Sequence, residues 1–523
     1  MGNSAAIDET GLVVAYLDPA DRGHGGDWYY RNHLPCRALA ELPSVYSVGL
    51  DSVNRNFLTV AREADVLVLR NITEADLLPI IAERRERRLL TVFEVSDDAA
   101  AVQPWSIVYA FRSNPDNHRL FLRLSLACDA TQYTVDELQR VYGYLNANGQ
   151  VFANQLSPIP DALPPKSENE FVIGWGGSHG HLGDMRKAVD VLSRWVMAHD
   201  DACLAIMGTG PIRELYAGLP DHKKRQRGTS TIHDYYDFLQ PLHVGIAPLE
   251  DDAFNRSRSD VKFLEYAAYG AAAVVSDLLP YQETVVHGRR GFRFGSAEQL
   301  VHVLDEVHAN PELRKRVTSE AYAYVKAERR QEHHATTRLS FYERLLAELG
   351  HVRRSASECK AFAEKMARWD GATVTGRHVQ LEHGRFENLI YAGVILSQQD
   401  KRLDEARAQF QQAEKLAPEN YLASLMLASV STEPLVPLES AQRKNPRSLR
   451  TRMEMGAARA ARGELEPALA AYLSAAELAP EFEQAYMRVA ALLSAVGAHD
   501  GAKDMASRAD ALCTPLFPKE AAR

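Results

Sequence analysis

The sequence predicts an α/β chain of two successive lobes, each built on a parallel sheet, followed by an all-α region of helical repeats. Three observations carry this. Short apolar runs alternate with helical or polar stretches in two successive series up to about Gly350. A proline-rich polar stretch, SPIPDALPPKSENE from Ser157 to Glu170, separates the two series as a linker. Beyond Gly350, alanine, aromatic and proline positions recur at a fixed spacing.

Composition narrows the class. The chain has 523 residues, 46% of them apolar and 25% charged, enough for several ordered domains with their own cores. A formal charge of −9 argues against a dedicated nucleic-acid binder, which would carry a basic balance. Cys36, Cys128, Cys203, Cys359 and Cys513 lie far apart and form no C-x-x-C pair, so they read as reduced core thiols. MGNSAAIDETG has no basic, apolar signal pattern, and Ala6 stands where a myristoylation motif from Gly2 wants Ser or Thr. No apolar run approaches eighteen residues, so no transmembrane segment is expected.

In the first series, Gly11 to Leu17 is a buried strand that runs into a loop and helix, DPADRGHGGDWYYRNHLPCRALAEL. Gly23, Gly25 and Gly26 allow a tight turn whose backbone approaches a ligand closely; a plain surface turn has the same composition. YSVGL, ADVLVLRN and RRLLTVFEVSDD supply further strands. Glu94, Asp97 and Asp98 fall at the C-terminal end of the last, where open α/β sheets place ligands, although a solvated turn or helix cap reads alike. ACDATQYTVDELQRVYGYL and GQVFANQL close the lobe near Asn154.

The second series opens with FVIGWGGSHGHLGDM, a strand entering a glycine-rich turn in which Gly176, Gly177 and Ser178 offer donors to a phosphate. His179, His181 and Asp184 suggest a metal, but no further ligand pair accompanies them, and a polar turn with Asp184 capping the next helix is preferred. CLAIMGTG and HVGIAPL are strands. The most informative stretch runs from Asp251 to Glu283. Ser257, Ser259 and Asp260 precede an apolar-periodic run, placing a helix start near Ser259, and Gly270 ends the helix before the strand AAAVVSD. A helix start beside a sheet favours an anion. Lys262 adds a charge on the first turn, and Glu265 follows one turn later on the same face. A cation for a diphosphate and a carboxylate for hydroxyl groups suit a nucleotide sugar; an ordinary amphipathic helix with a solvated Lys/Glu pair has the same spacing. Residues from Ala297 to Leu349 read as helical.

FNRSRSDVKFLEYAAYGAAAVVSD, with Pro280 and Tyr281 after it, resembles the donor-binding segment of family 4 glycosyltransferases, whose bacterial members read S-D-x-K-x-x-E-Y-x-A-x-G-x-P-x-V. GWGGSHGHLGD resembles the G-W-x-G-S-x-x-H-x-x-D that opens the second lobe of that family, YYRNHLPCRAL its Tyr-Arg-x-x-x-Pro helix, and EVSDD its Asp-x-Asp-Asp. The resemblance implies a GT-B fold of two Rossmann-like lobes, residues 1–156 on the acceptor side and 171–350 on the donor side, with a terminal helix crossing back. It implies sugar transfer from a nucleotide diphosphate to an acceptor hydroxyl with retained configuration. It assigns Glu265 to the ribose, Gly177, Ser178, Ser259, Asp260 and Lys262 to the diphosphate, and Asn255 to the sugar border. Gly25, Gly26, Arg31, Glu94 and Asp98 fall to the acceptor side of the cleft, and His24 and Asp97 are candidates for the base. No cofactor or metal is expected besides the donor. Two departures stand out: Ser257 replaces the glutamate that the wider family carries eight residues before Glu265, and Ala272 or Ala273 replaces a proline.

Residues 351–523 read differently. Ala406, Phe410, Ala413 and Pro418 recur as Ala468, Tyr472, Ala475 and Pro480, with Leu438, Ala441 and Pro446 between them and Ala502 and Ala509 continuing the phase. Pro446 to Pro480 spans 34 residues, the tetratricopeptide period, and Pro418 to Pro446 is six shorter. The stretch looks like three or four tetratricopeptide repeats that bind a protein partner. The partner is expected to be a protein acceptor or, alternatively, an assembly making lipopolysaccharide or another surface glycan. A reading of another class is an inactive transferase-like scaffold, which Ser257 favours. The expected location is the cytoplasm, at most peripheral to the inner membrane.

Overall fold

The computed structural model describes residues 10–19, 25–369, 371–398 and 401–518. The N-terminal motif at Gly2 and Ala6, together with Gly23 and His24, lies outside the described residues. Among the described residues up to Gly350 the strands of the two lobes are β1 (Thr10–Asp18), β2 (Val45–Asp51), β3 (Val66–Arg70), β4 (Leu90–Val95), β5 (Ala130–Tyr133) and β6 (Gly149–Val151), then β7 (Phe171–Gly176), β8 (Ala202–Met207), β9 (Lys224–Arg227), β10 (Val244–Ala247), β11 (Ala272–Ser276) and β12 (Phe292–Phe294). The first lobe pairs them β2-β1-β3-β4-β5-β6 and the second β12-β11-β10-β7-β8-β9, all parallel.

Both sheets are covered on both faces, which is why their strands read as unbroken apolar runs. In β1, Leu12, Val14 and Tyr16 pack beneath the helix Gln331–Glu348, while Val13, Ala15 and Leu17 point into the opposite layer. That helix makes the expected crossing back: Pro311–Glu328 packs with the second lobe through Ala321 and Val325, and after Arg329 the chain returns to the first. Residues 157–170 between the lobes carry neither helix nor strand. The architecture is two Rossmann-like lobes in the GT-B arrangement, followed by all-α helix pairs.

The chain beyond Gly350 departs from the expected division. Residues 351–523 were expected to be repeats throughout, but β13 (Arg354–Ser355) pairs antiparallel with β1, and a hairpin of β14 (Ala372–Thr375) and β15 (His378–Leu381) adds β15 parallel to β2. Residues up to Leu381 therefore complete the first sheet, nine-stranded in all. Short strands paired with residues more than three hundred positions away leave no local periodicity to read.

Among the described residues eight helices follow, in four pairs: Arg385–Gln398 with Leu403–Leu416, Tyr421–Ser429 with Leu435–Lys444, Leu449–Ala461 with Leu465–Leu478, and Glu483–Ala495 with His499–Cys513. Each of Pro418, Pro446 and Pro480 stands two residues past the second helix of its pair, where a ring that cannot continue the helix is tolerated. The second pair is short because both its helices are, 9 and 10 residues against 13 and 14 in the third, while the connection between them is slightly longer. Ala406, Phe410, Ala413, Leu438, Ala441, Ala468, Tyr472, Ala475 and Ala509 are all buried, and Ala502 is half-buried.

Glycines set the closeness of two pairs. A Cβ on Gly393 would lie 2.3 Å from the Phe410 ring, and one on Gly456 would lie 2.5 Å from the Tyr472 ring. Gly456→Ala is therefore expected to destabilise by about 1–2 kcal/mol, the overpacking cost exceeding the gain in helix propensity. Thermal melts check this: a variant as stable as the parent would mean that the helices separate freely.

The pairs are not a loose tail. Leu449, Ala475, Phe482 and Tyr486 lie in the same apolar cluster as Leu77, Phe121 and Leu124 of the first lobe. Asp76 accepts hydrogen bonds from the Tyr421 hydroxyl (2.7 Å), the Ser448 hydroxyl (3.0 Å) and the Arg450 N–H (2.9 Å). Arg123, buried, pairs with buried Glu483 at 3.0 Å and donates to the Leu512 carbonyl. Cys36, Cys128, Cys203 and Cys359 are buried and Cys513 is half-buried, and none of them is joined in a disulfide. Among the described residues no helix is long and apolar enough to cross a membrane.

Candidate functional site

Strand order locates the cleft before any side chain is considered. In an open α/β sheet, connections leave in opposite directions at the point where strand order reverses, opening a crevice at the carboxyl ends. In the second lobe that point lies between β7 and β10, and in the first between β1 and β3. Gly176 ends β7 at the one, with Gly177 following it; Asp18 and Arg70 end β1 and β3 at the other.

The helix after Asp260 runs from Val261 to Ala268, burying Phe263, Leu264, Tyr266, Ala267 and Ala268, and Gly270 closes it at φ +69°. Lys262 and Glu265 share the remaining face, as the three-residue spacing predicts. Glu265 Oε2 accepts from Lys262 Nζ at 3.0 Å and from the Tyr235 hydroxyl at 2.7 Å. Glu265 Oε1 accepts from the Tyr30 hydroxyl at 2.6 Å, so the carboxylate is held from both lobes. Lys262 Nζ also donates to the Tyr235 oxygen at 2.7 Å and sits 4.6 Å from that ring's centre. Burial, then the Glu265 charge, pushes both phenols well above their ordinary range, so they remain donors. A carboxylate that already takes two hydroxyl hydrogen bonds is shaped to hold a diol.

Tyr235 closes over the β7 turn. A Cβ on Gly176 would be 2.6 Å from its ring, so glycine is what allows the approach. Gly177 was expected to offer its N–H to a phosphate, but that N–H donates to the Met207 carbonyl at 3.0 Å. Ser178 is exposed on the rim and opens the short turn His179–His181. His181 Nδ1 lies 2.8 Å from Asp184 Oδ2 and Nε2 lies 3.2 Å from Arg258 Nη1. Burial, then Arg258, lowers His181 to about 4, so at neutral pH the ring donates to Asp184 and accepts from Arg258. His179 Nδ1 turns to Thr209 Oγ1 at 3.1 Å. Among the described residues no group of three His, Cys, Asp or Glu side chains could hold a metal ion.

Other expected donor residues act as supports. Asn255, fully buried, donates to Asp184 Oδ1 at 2.8 Å and accepts from Arg258 Nε at 2.7 Å, so it aims Arg258 without bordering open space. Ser259 Oγ accepts from Asn154 Nδ2 at 2.8 Å, a link between lobes. Both Asp260 oxygens belong to Arg329, at 2.6 and 3.0 Å. Ser257 is buried and donates to the Phe254 carbonyl at 2.8 Å.

On the first lobe, Arg31 and Glu94 were expected to face the acceptor. They form a fully buried ion pair at 2.6 Å, Arg31 also donating to the Phe152 carbonyl and Asn154, and Glu94 also accepting from Gln132. Arg31, on the helical turn Tyr29–His33, and Glu94, near the end of β4, neutralise each other more cheaply than either could stay charged and unpaired there. Asp98, buried, accepts from the Tyr142 hydroxyl at 2.6 Å and from the Ala100 N–H at 3.1 Å, a turn support. Gly25 and Gly26 begin a short helix, the Gly25 carbonyl accepting from Tyr29 N–H, with Gly26 exposed. Asp97 is only half-buried and hydrogen-bonds Asp27. Burial first, and then Asp27, pushes its carboxyl up to about 7, against the charges of Arg258 and Arg70. Arg70 Nη1 approaches Asp27 Oδ2 at 3.5 Å.

Tyr30, Tyr235, Asp27, Arg258 and Arg329 are the residues that sequence reasoning did not single out. Asp27, Tyr30 and Arg258 sit inside or beside the motifs read above; Tyr235 and Arg329 carry no local signal.

No protein-family model and no curated protein matches the chain. Among solved structures it is similar to HepE of Anabaena in complex with UDP and glucose, at 12% identity over 65% of this chain and 100% of that one, with a TM-score of 0.47. It is similar to a glycosyltransferase from Rickettsia africae at 14% identity over 64% and 99% of the two chains, TM-score 0.45. Sucrose-phosphate synthase from Thermosynechococcus elongatus is similar at 14% identity over 64% and 100%, TM-score 0.46.

Proposed function

We propose that this protein is a glycosyltransferase that moves a sugar from a nucleotide-diphosphate donor to an acceptor hydroxyl, with retention of configuration. The observation that carries the reading is Glu265, a buried carboxylate at the cleft that takes two hydroxyl donors, beside Lys262 one helical turn away. In a donor complex the ribose hydroxyls replace the tyrosine hydroxyls on Glu265, and Lys262 meets the diphosphate. The acceptor oxygen bonds to the anomeric carbon as the bond to the diphosphate breaks. The leaving group keeps that electron pair, and the acceptor proton passes to the Asp97 carboxylate, with Arg258 and Ser178 at the rim steadying charge. The repeats, which we read as tetratricopeptide repeats, present the acceptor, for which a protein is the first choice.

A thermal-shift screen against UDP, GDP, CMP and TDP sugars tests the reading, since a ligand at a hundred times its dissociation constant stabilises by about 2.7 kcal/mol. A donor that shifts the melt and is turned over supports it; no shift with any donor overturns it. Asp97 gives a further check. A base must be ionised, so the rate should rise with pH through about 7 and level off above. Asp27→Asn removes the neighbouring negative charge, makes ionisation of Asp97 easier and should move that rise to lower pH. An unmoved profile would exclude Asp97 as the base.

A further inference from the structure

We infer that the seam between the first lobe and the helix pairs is a second binding site, one for a sugar carrying a negative charge. A cavity of about 380 Å³ opens there, walled on one side by residues 52–62, which follow β2, and on the other by residues 419–422 and 444–445 of the helix pairs. Its volume falls in the range of small-ligand sites.

The wall has the chemistry of carbohydrate recognition. Asn56 and Asn445 bring side-chain amides that both donate and accept, and Asn420 an amide N–H2 beside its capping oxygen, which matches the paired character of sugar hydroxyls, while the Asn54 amide is already held by the Glu382 carbonyl and the Asn56 N–H. Tyr421 adds an aromatic face, fixed in place because its hydroxyl is held by Asp76 at 2.7 Å. Charge then narrows the ligand. Arg55, Arg62 and Lys444 line the cavity, and among the described residues Glu419 is the only carboxylate in its wall. The carboxylates that steady these cations lie outside it: Glu387 at 3.7 Å from Arg55, Glu83 at 3.1 Å from Arg62 and Glu414 at 2.8 Å from Lys444. Arg62 gives Glu83 one of its five N–H groups, leaving donors for an anion. Asn420 also starts the helix Tyr421–Ser429, whose positive end adds to the field. A sugar phosphate or a sugar acid satisfies amides, ring face and cations together.

The site is separate from Lys262 and Glu265, and it does not depend on the transferase reading. Isothermal titration of the full chain with glucose 6-phosphate, glucuronate, glucose and inorganic phosphate tests it. One equivalent of glucose 6-phosphate or glucuronate should bind at least tenfold more tightly than glucose or phosphate. Asn56→Asp places a fixed negative charge in the wall while keeping a favoured residue at its helix start, so the fold is retained and binding should weaken at least tenfold. Lys444→Gln should weaken it likewise, and Lys262→Gln should leave it unchanged. The inference is overturned by no binding of either charged sugar, by phosphate binding as tightly, by Asn56→Asp binding undiminished, or by loss of binding in Lys262→Gln, which would put the sugar in the cleft. Donor-dependent transfer measured in Asn56→Asp keeps the two readings apart: transfer persists there whether or not the seam binds.

Discussion

Glu265→Ala is expected to abolish donor-dependent transfer and to lower stability by about 3 kcal/mol, the lower end of what removing one partner of a buried ion pair costs. Three donors lose their acceptor at once: the Tyr30 and Tyr235 hydroxyls and the Lys262 ammonium. The lower end is chosen because the Lys262 side chain is 14% exposed, against 3% for Glu265, and can reach water once released. Glu265→Gln separates binding from folding. Its amide oxygen still accepts from one tyrosine and it fills the same volume, so most of the stability should return. The negative charge opposite Lys262 does not return, and donor affinity should stay reduced by tenfold or more. Melting curves and transfer rates on the two variants decide the matter. Transfer at the parent rate in both would remove Glu265 from the donor site.

Arg329→Ala is expected to cost about 3–5 kcal/mol and to weaken donor binding from a distance. Arg329 closes on both oxygens of Asp260, donates to the Asn154 carbonyl at 2.8 Å and reaches Gln155 Oε1 at 3.3 Å and the Tyr324 hydroxyl at 3.3 Å. One guanidinium thus joins the start of the Lys262 helix, the end of the first lobe and the helix Pro311–Glu328. Removing it strands the buried Asp260 charge at the residue before that helix. The double variant Arg329→Met, Asp260→Asn should recover more than half of the loss, because the uncompensated charge, not the missing contact, dominates it. Equal losses in the single and double variants, by chemical denaturation, would show that packing around the guanidinium matters more than charge.

The same residues show what a sequence can and cannot disclose. Lys262 and Glu265 were legible because helix geometry fixes what lies three residues apart, and the pair forms as that geometry requires. The lobes were legible because strands buried on both faces leave apolar runs. The phase of the helix pairs was legible because a stacked array repeats its buried positions. The partners of Glu265 were not: Tyr30 stands 235 residues away, and nothing local to Tyr30 or Tyr235 marks either hydroxyl as a donor to it. Arg31 and Glu94 illustrate the converse error. Charged residues beside a cleft suggest a ligand, yet Arg31 on its helix and Glu94 on β4, of opposite sign and packed together, consume each other. Asp97 and Asp98 are adjacent in sequence but differ in use, since Asp98 turns to Tyr142 and Asp97 to Asp27. The return of the chain to β2 through β15 left no trace in the periodicity at all.

That return has a practical meaning for anyone cutting the molecule into parts. If the chain were ended at Gly350 to isolate the two lobes, β2 would keep β1 but lose β15 and become an edge strand, with unpaired N–H and C=O groups exposed around Ser47–Gly49. The helix Ala356–Ala367, whose buried Cys359, Ala363 and Met366 lie in the same apolar cluster as Val13 and Val48, would go with it. An uncovered, apolar strand edge is a template for pairing with a second chain, so such a truncation is a recipe for aggregation, whatever the fate of the cleft.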